Sequence, residues 1–405
     1  MKVLVVGGTG YLGQLLVKAL TALGNAEADD RVARDHDVAL TFCSSPPSAD
    51  QLAALGGPRA FRVDLINGDG LAACIEEFGL PDVVVNCAAM SVPRQCESDP
   101  ALAMRINVPS ALIAALTDAA SRRAGSSGDA DGEQQLPLLI HLSTDQVYEG
   151  TKSFYKESDP LVPVNTYGKS KVAGEQAVRE QWAGSHAILR SSIIVGPPPP
   201  VPLKKTLPLQ WIDSALSSSL ASGQPESFFD DEYRCPIYVH DYPRIVRALM
   251  DRHALAGHRF ALTLNAGGPD RLSRADMAAV VARIRGYLLP GASSTGPSAA
   301  AAGAAASGSG SAIVRTCVSR EGDLITRAPA ASMANRGVAS PADISMDTQL
   351  IQHELSPSLT PFTHANRGVA SPADISMDTQ LIQHELLLAL TPFEDAVRLT
   401  LSAPR

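Results

Sequence analysis

The chain has 405 residues, 45% of them apolar, and carries a net charge of −8 with a pI near 5.6. That is enough apolar material for one large α/β unit, or for two to three domains. The acidic balance gives no electrostatic reason to expect nucleic acid or an anionic membrane as a partner.

Short apolar runs alternate with helical periodicity through the first half. "KVLVVG", "DVALTF", "RAFRVD", "PDVVVNCAA", "LPLLIHLST" and "HAILRSSIIVG" are too apolar to leave one face in water. Helical stretches such as "LGQLLVKALTAL" and "ALAMRINVPSALIAALTDAA" separate them. Strands buried on both faces and joined by helices predict an α/β fold with a Rossmann-type, doubly wound parallel sheet. A smaller C-terminal substrate domain is expected to accompany it. Two polar stretches, "GNAEADDRVARDHD" and "SRRAGSSGDADGEQQ", read as surface loop insertions. "GPPPPVPLKKTLP" reads as a proline-stiffened crossing after the sixth strand.

The expected organisation is a nucleotide-binding domain over 1–195 with a returning segment near 237–265. The smaller region would take 196–236 and 266–330, including an Ala/Gly/Ser tract at 291–311 that cannot build a core and is expected to be disordered. A tandem duplication fills 334–386: "ANRGVASPADISMDTQLIQHEL" occurs at Ala334–Leu355 and again at Ala365–Leu386, and "LTPF" follows both copies. The last copy is expected to dock, because the closing helix "FEDAVRLTL" within 387–405 completes it, and the other to be exposed or loosely attached.

Six cysteines show no C-x-x-C, and nine histidines no H-E-x-x-H, so reduced thiols and no metal are expected. No apolar run reaches membrane-spanning length. The first strand follows Met1 at once, leaving no room for a cleavable targeting segment, and a cytoplasmic location is expected.

The chemistry is concentrated at strand ends. "VVGGTGYLGQLL" places Gly7, Gly10 and Gly13 between a buried strand and an amphipathic helix. That context lets backbone N–H groups cradle a pyrophosphate, so a dinucleotide is expected. The second strand ends "TFCSS", with Ser44 and Ser45 and no carboxylate for the ribose hydroxyls, which favours NADP(H) over NAD(H). Asp64 in "FRVDL" is placed to hold an adenine amino group, and Asn86 in "VVVNCAA" leaves space for a flat ring. In "NTYGKSKVAGE", Tyr167 and Lys171 share a helical face. An ammonium ~4 Å from a phenol, at an effective dielectric of ~20, favours the phenolate by ~4 kcal/mol, or ~3 pK units. Upstream, "LPLLIHLSTDQVY" ends a strand at Ser143, Thr144 and Asp145, where a hydroxyl can bond a substrate carbonyl beside the phenol. Pro163 and Asn165 prepare the helix start. Together these predict a nicotinamide-dependent carbonyl/alcohol site.

In this order the glycine turn, "VDL", "NCAA", "STD", Y-x-x-x-K and "LRSSIIVGP" resemble the extended short-chain dehydrogenase/reductase superfamily. "STDQVYEG…YKESDP…NTYGKSKVAGE" is similar to dTDP-4-dehydrorhamnose reductases and to the related beta regulatory subunit of methionine adenosyltransferase. The resemblance implies a catalytic triad of Thr144, Tyr167 and Lys171. It also implies coenzyme contacts at Gly7, Gly10, Tyr11, Leu12, Gly13, Ser44, Asp64, Leu65, Asn86, Ala88, Ala89, Tyr167 and Lys171. Ser143, Asp145, Arg94 and Arg234 would meet the substrate. The departures, Met90, Pro93 and Arg94 after "NCAA" and Gln146 after "STD", fall on the substrate side.

The implied function is NADPH-dependent reduction of a keto-sugar, in particular a nucleotide-linked 4-keto-6-deoxyhexose. The alternative is an NADP-binding regulatory subunit that partners the methionine adenosyltransferase catalytic subunit. A homodimer is among the implied assemblies. An open cleft beside Tyr167, faced by Arg94 and Arg234, would favour the reductase.

Overall fold

A computed structural model describes residues 1–21, 36–127, 136–256, 258–288, 324–329, 344, 346 and 389–401. Seven parallel strands form the central sheet: β1 (Lys2–Val6), β2 (Asp37–Phe42), β3 (Arg59–Arg62), β4 (Val83–Asn86), β5 (Leu138–Thr144), β6 (His186–Ser191) and β11 (Ala261–Ala266). Their spatial order is β3-β2-β1-β4-β5-β6-β11. The order reverses between β1 and β4, so a crevice opens there at the carboxyl ends of the strands.

Alternate residues of one strand feed opposite layers. Val3, Val5, Val83, Val85, Leu138 and Ile140 pack beneath α1 (Tyr11–Thr21) and α9 (Asp241–Leu255). Leu4, Val6, Val84 and Leu139 pack on the other side, under α3 (Leu71–Phe78) and α6 (Ser110–Ser127). This is why the strand runs are apolar throughout rather than alternating. The fold is the doubly wound α/β sheet expected from the sequence. α6 reaches Ser127, so the first part of the polar stretch read as a loop continues a helix. Residues 24–35, the tract at 291–311 and the second repeat copy lie outside the described residues. By length and composition Pro100–Gly125 is apolar enough to cross a bilayer, contrary to the sequence reading. In the fold its Leu112, Ile113 and Leu116 are buried against the sheet.

The run read as one strand, 186–196, is two. β6 ends at Ser191, and β7 (Ile194–Val195) pairs in parallel with β10 (Ile237–Tyr238) instead of staying in the sheet. The chain turns at Ser192, whose hydroxyl donates to Asp145. Beyond it a third apolar cluster joins α8 (Pro208–Ser222), β8 (Glu226–Phe229), α10 (Arg274–Ile284), β13 (Ile325–Ala328) and α11 (Phe393–Leu401). β9 (Tyr233–Arg234) pairs with β12 (Leu272–Ser273) above the sheet's carboxyl edge.

Of the repeat, two residues of the first copy are described, and the second copy, expected to dock, lies outside the described residues. Ile344 and Met346 of the first copy are buried beside Val147, Tyr148 and Tyr155. These two residues of the first copy are docked, and Leu390 and Phe393 of the "LTPF" that follows the second copy are buried as well.

Candidate active site

Gly7 sits at the tip of β1 with φ of +76°, a backbone conformation that glycine alone adopts without strain. A Cβ on it would lie 2.8 Å from Ala88 Cα, and one on Gly13 would lie 2.4 Å from the Gly7 carbonyl. The turn is pinned below by Gly7 N–H donating to Thr41 Oγ1 at 3.0 Å and Gly8 N–H to the Thr41 carbonyl. Gln14 N–H donates to the Gly10 carbonyl, so the N–H groups of Tyr11, Leu12 and Gly13 precede the first full helical bond of α1. These groups and the side-chain-free cradle fit a pyrophosphate. Leu12 can serve through its backbone only, because its side chain is in the core. Gly13→Ala is expected to weaken coenzyme binding about 10- to 100-fold, the equivalent of ~1–3 kcal/mol of overpacking. Fluorescence titration with NADPH checks this, with circular dichroism confirming the fold.

Ser44 is exposed just beyond β2. Asp64 accepts from Ile66 N–H, and Leu65 packs on the lower core layer. The Asn86 amide is already engaged, with Nδ2 against His141 Nδ1 at 3.2 Å and Oδ1 accepting from Ala88 N–H. Ala88 and Ala89 are half-buried after β4.

α7 (Thr166–Gln181) starts where the sequence placed it, capped by Asn165 Oδ1 accepting from Gly168 N–H at 2.8 Å. Asn165 Nδ2 also donates to Gln146 Oε1, which holds the helix start against the turn that follows β5. Tyr167, Lys171 and Glu175 share its buried face.

The expected lowering of the phenol is not seen. Burial raises the Tyr167 hydroxyl above its ordinary value, the Thr144 hydroxyl opposes this by hydrogen bonding, and the Asp145 charge adds to it. Lys171 is not among the influences on the phenol, and its Nζ lies 3.5 Å from His141 Nε2. Burial brings Lys171 down to about 8, against the opposing influence of Glu175 and Cys87.

A cavity of about 610 Å³ opens beside Tyr167 and Thr144. Arg94 from α4 (Pro93–Ser98) and Arg234 from β9 both line it, as the sequence reading required of an open cleft. So do Lys205 and Arg274, which that reading missed. Lys205 was visible only as one of two lysines in the proline-rich crossing, and Arg274 only as the first residue of a capped helix. Four cations thus face two acids, Asp145 and Glu232, and the cavity favours an anionic ligand. Asp145 is buried, which raises its carboxyl, while Arg234 and the Ser192 and Thr144 hydroxyls act against that rise. Ser143 is a correction: it is absent from the cavity wall, and its hydroxyl donates to Glu175 at 2.6 Å.

The family profile described as RmlD substrate binding domain matches residues 1–318. The chain belongs to that family. It is an oxidoreductase of the extended short-chain dehydrogenase/reductase type. It is 36% identical over 181 residues to dTDP-4-dehydrorhamnose reductase of Burkholderia thailandensis, 44% of this chain and 46% of that one. The match spans less than half of that relative. It is 26% identical over 283 residues to methionine adenosyltransferase 2 subunit beta of Mus musculus, covering 69% and 71%. Among solved structures, dTDP-4-dehydrorhamnose reductase of Bacillus anthracis in complex with NADP superposes with a TM-score of 0.55. That match is 18% identical and covers 86% of this chain and 91% of the other, which shows a shared fold.

Proposed function

We propose that this protein reduces a keto-sugar with NADPH, and that the sugar is a nucleotide-linked 4-keto-6-deoxyhexose. The observation that carries the reading is the 610 Å³ cavity, with a phenol and a threonine hydroxyl on its wall and four cations around it. A sugar diphosphate supplies the matching charge, and its keto group would meet Thr144 and Tyr167. A bound nicotinamide coenzyme supplies the hydride. Thr144 Oγ1 bonds the carbonyl oxygen and stabilises its growing negative charge. Tyr167 holds its proton until that oxygen becomes an alkoxide, then donates it through its hydroxyl. An alkoxide is more basic than a phenolate, so the transfer runs downhill even from a phenol raised by burial. The Lys171 ammonium would hold the coenzyme ribose. Ser44 and Ser45, beyond β2 with no carboxylate beside them, favour the 2′-phosphate of NADP(H).

The test is turnover of dTDP-4-keto-6-deoxyhexose, read as loss of NADPH absorbance. No turnover with this or any keto-sugar, together with an unchanged Tyr167→Phe variant, overturns the reading. A second reading, an NADP-liganded regulator of methionine adenosyltransferase, draws on the 71% of the mouse subunit that aligns here. Co-purification with that synthetase and a shift in its kinetics would favour it.

Lys171 gives a pH dependence. Coenzyme affinity is expected to fall as pH rises through about 8, where its ammonium is lost. Lys171→Met should bind weakly and without this dependence. Stability moves the other way. Between about 8 and the ordinary 10.5 the unfolded chain holds a proton that the folded one has released, so melting temperature rises with pH there. Thermal scans of both proteins across that window read the difference.

A further inference from the structure

Asn86 closes β4 and stands in register with His141, in the middle of β5. Both side chains are buried. The Asn86 amide has one orientation. Its Oδ1 accepts from Ala88 N–H, so Nδ2 can only donate, and Nδ2 lies 3.2 Å from His141 Nδ1. Nδ1 is therefore the accepting nitrogen, and the single proton of the neutral ring sits on Nε2. An imidazolium would set N–H against N–H at Nδ1. Burial, followed by the Lys171 charge, also holds the ring well below its ordinary value.

Nε2 lies 3.5 Å from Lys171 Nζ. α7 comes this close because Gly174 passes the ring, where an added Cβ would stand 3.2 Å from Nε2. An ammonium offers three N–H groups and no lone pair, whereas the amine has a lone pair to accept with. Nε2–H thus opposes the charged lysine and suits the neutral one. The other titratable groups acting on Lys171 are Glu175, one turn further along α7, and Cys87, just after β4. The Glu175 carboxylate favours the ammonium, but its oxygens are engaged by Arg190, Arg179 and Ser143. Burial pushes the Cys87 thiol up to about 12, so it is uncharged while Lys171 titrates near 8. Tyr167, on the same helical face, is raised by burial and is still a phenol there.

We propose that His141 is a positioning residue for Lys171: Asn86 fixes its proton on Nε2, and that N–H favours the lysine amine until a nicotinamide coenzyme offers ribose oxygens, so that coenzyme binding takes up a proton at Lys171. The second half rests on the coenzyme site of the reading above. The first half concerns the free protein alone.

Nuclear magnetic resonance of the full chain without coenzyme tests the first half. Histidine labelled with ¹⁵N in the ring is expected to show His141, assigned by the signal missing from His141→Phe, as the neutral Nε2–H tautomer from pH 6 to pH 9. An Nδ1–H tautomer or a charged ring in that range overturns the proposal. Lysine labelled with ¹³C at Cε, with Lys171 assigned through Lys171→Met, reads the amine directly. Its midpoint is expected to rise by roughly 0.5–1 pH unit in His141→Phe, because the opposing N–H is gone. A ring that merely packs gives the opposite sign, since phenylalanine makes the surroundings less polar. An unchanged or lowered midpoint therefore overturns the proposal. If His141→Phe does not fold, His141→Met, which also carries no donor, takes its place with the same rise expected. Calorimetric titration with NADPH at pH 8, in buffers of different ionisation heat, tests the second half. The parent is expected to take up roughly half a proton and the variant less. Binding without proton uptake overturns the proposal, whereas no binding of NADPH or NADH overturns the coenzyme site itself.

Discussion

Tyr167→Phe is expected to lower turnover by about 10³-fold, within the usual 10²–10⁴ contribution of a positioned acid, while leaving coenzyme affinity within about twofold. The substitution removes one oxygen from a side chain that is 8% exposed and lines the cavity. No buried partner is orphaned, because Thr144 Oγ1 keeps its bonds to Asp145 and to Gln146 N–H. Loss of kcat with an unchanged fold therefore isolates proton delivery. A solvent isotope effect present in the parent and lost in the residual activity of the variant would place the proton at this hydroxyl. Equal kcat in the two proteins would remove Tyr167 from the chemistry.

Much of this was legible in the sequence because it follows from local rules. Strands buried on both faces write themselves as unbroken apolar runs, and the capped start of α7 is announced by Asn165 ahead of the tyrosine. What a side chain faces across the fold was not legible. Periodicity placed Tyr167 and Lys171 on one face correctly. It could not reveal that His141, from the middle of β5, lies 3.5 Å from the lysine's Nζ, or that burial rather than a neighbouring charge decides both groups. The same limit applies to Ser143. A residue next to the strand end can point either way, and the fully buried Glu175 draws its hydroxyl away from the cavity. Lys205 and Arg274 reach the cavity from segments whose spacing carries no signal. The break after Ser191 was hidden because apolar triplets, 187–189 and 193–195, stand on both sides of the polar Arg190, Ser191 and Ser192, although they serve different sheets.

The largest stability effect is expected at Glu175, which lies one turn beyond Lys171 on α7. Its carboxylate accepts from Arg190 Nε at 3.0 Å and Nη2 at 2.9 Å, from Ser143 Oγ and from Arg179 Nη2 at 2.8 Å. Arg190 is 2% exposed, and its remaining donors reach Tyr148 Oη and the Glu157 carbonyl. Tyr148 Oη donates in turn to Asn265 on β11, so the network joins α7 to three strands. Burial pushes the Glu175 carboxyl up, but Arg190, Ser143 and Arg179 outweigh it and hold the group below its ordinary value. Its contribution is therefore present above the ordinary 4.5 and is lost as pH falls through the folded value. Glu175→Ala leaves a buried guanidinium without its counter-charge, which costs about 3–5 kcal/mol. For a fold of this size that lowers the melting temperature by roughly 5 °C. Glu175→Met combined with Arg190→Met removes both charges and should recover most of the loss, since apolar replacement of a complete buried pair is often near neutral. A double variant no more stable than Glu175→Ala would mean that the network's packing, and not the orphaned cation, carries the effect. Lys171 offers an independent readout, because Glu175 is one of the charges that hold its proton. In the double variant, folded but without that carboxylate, the alkaline loss of coenzyme affinity should move below pH 8.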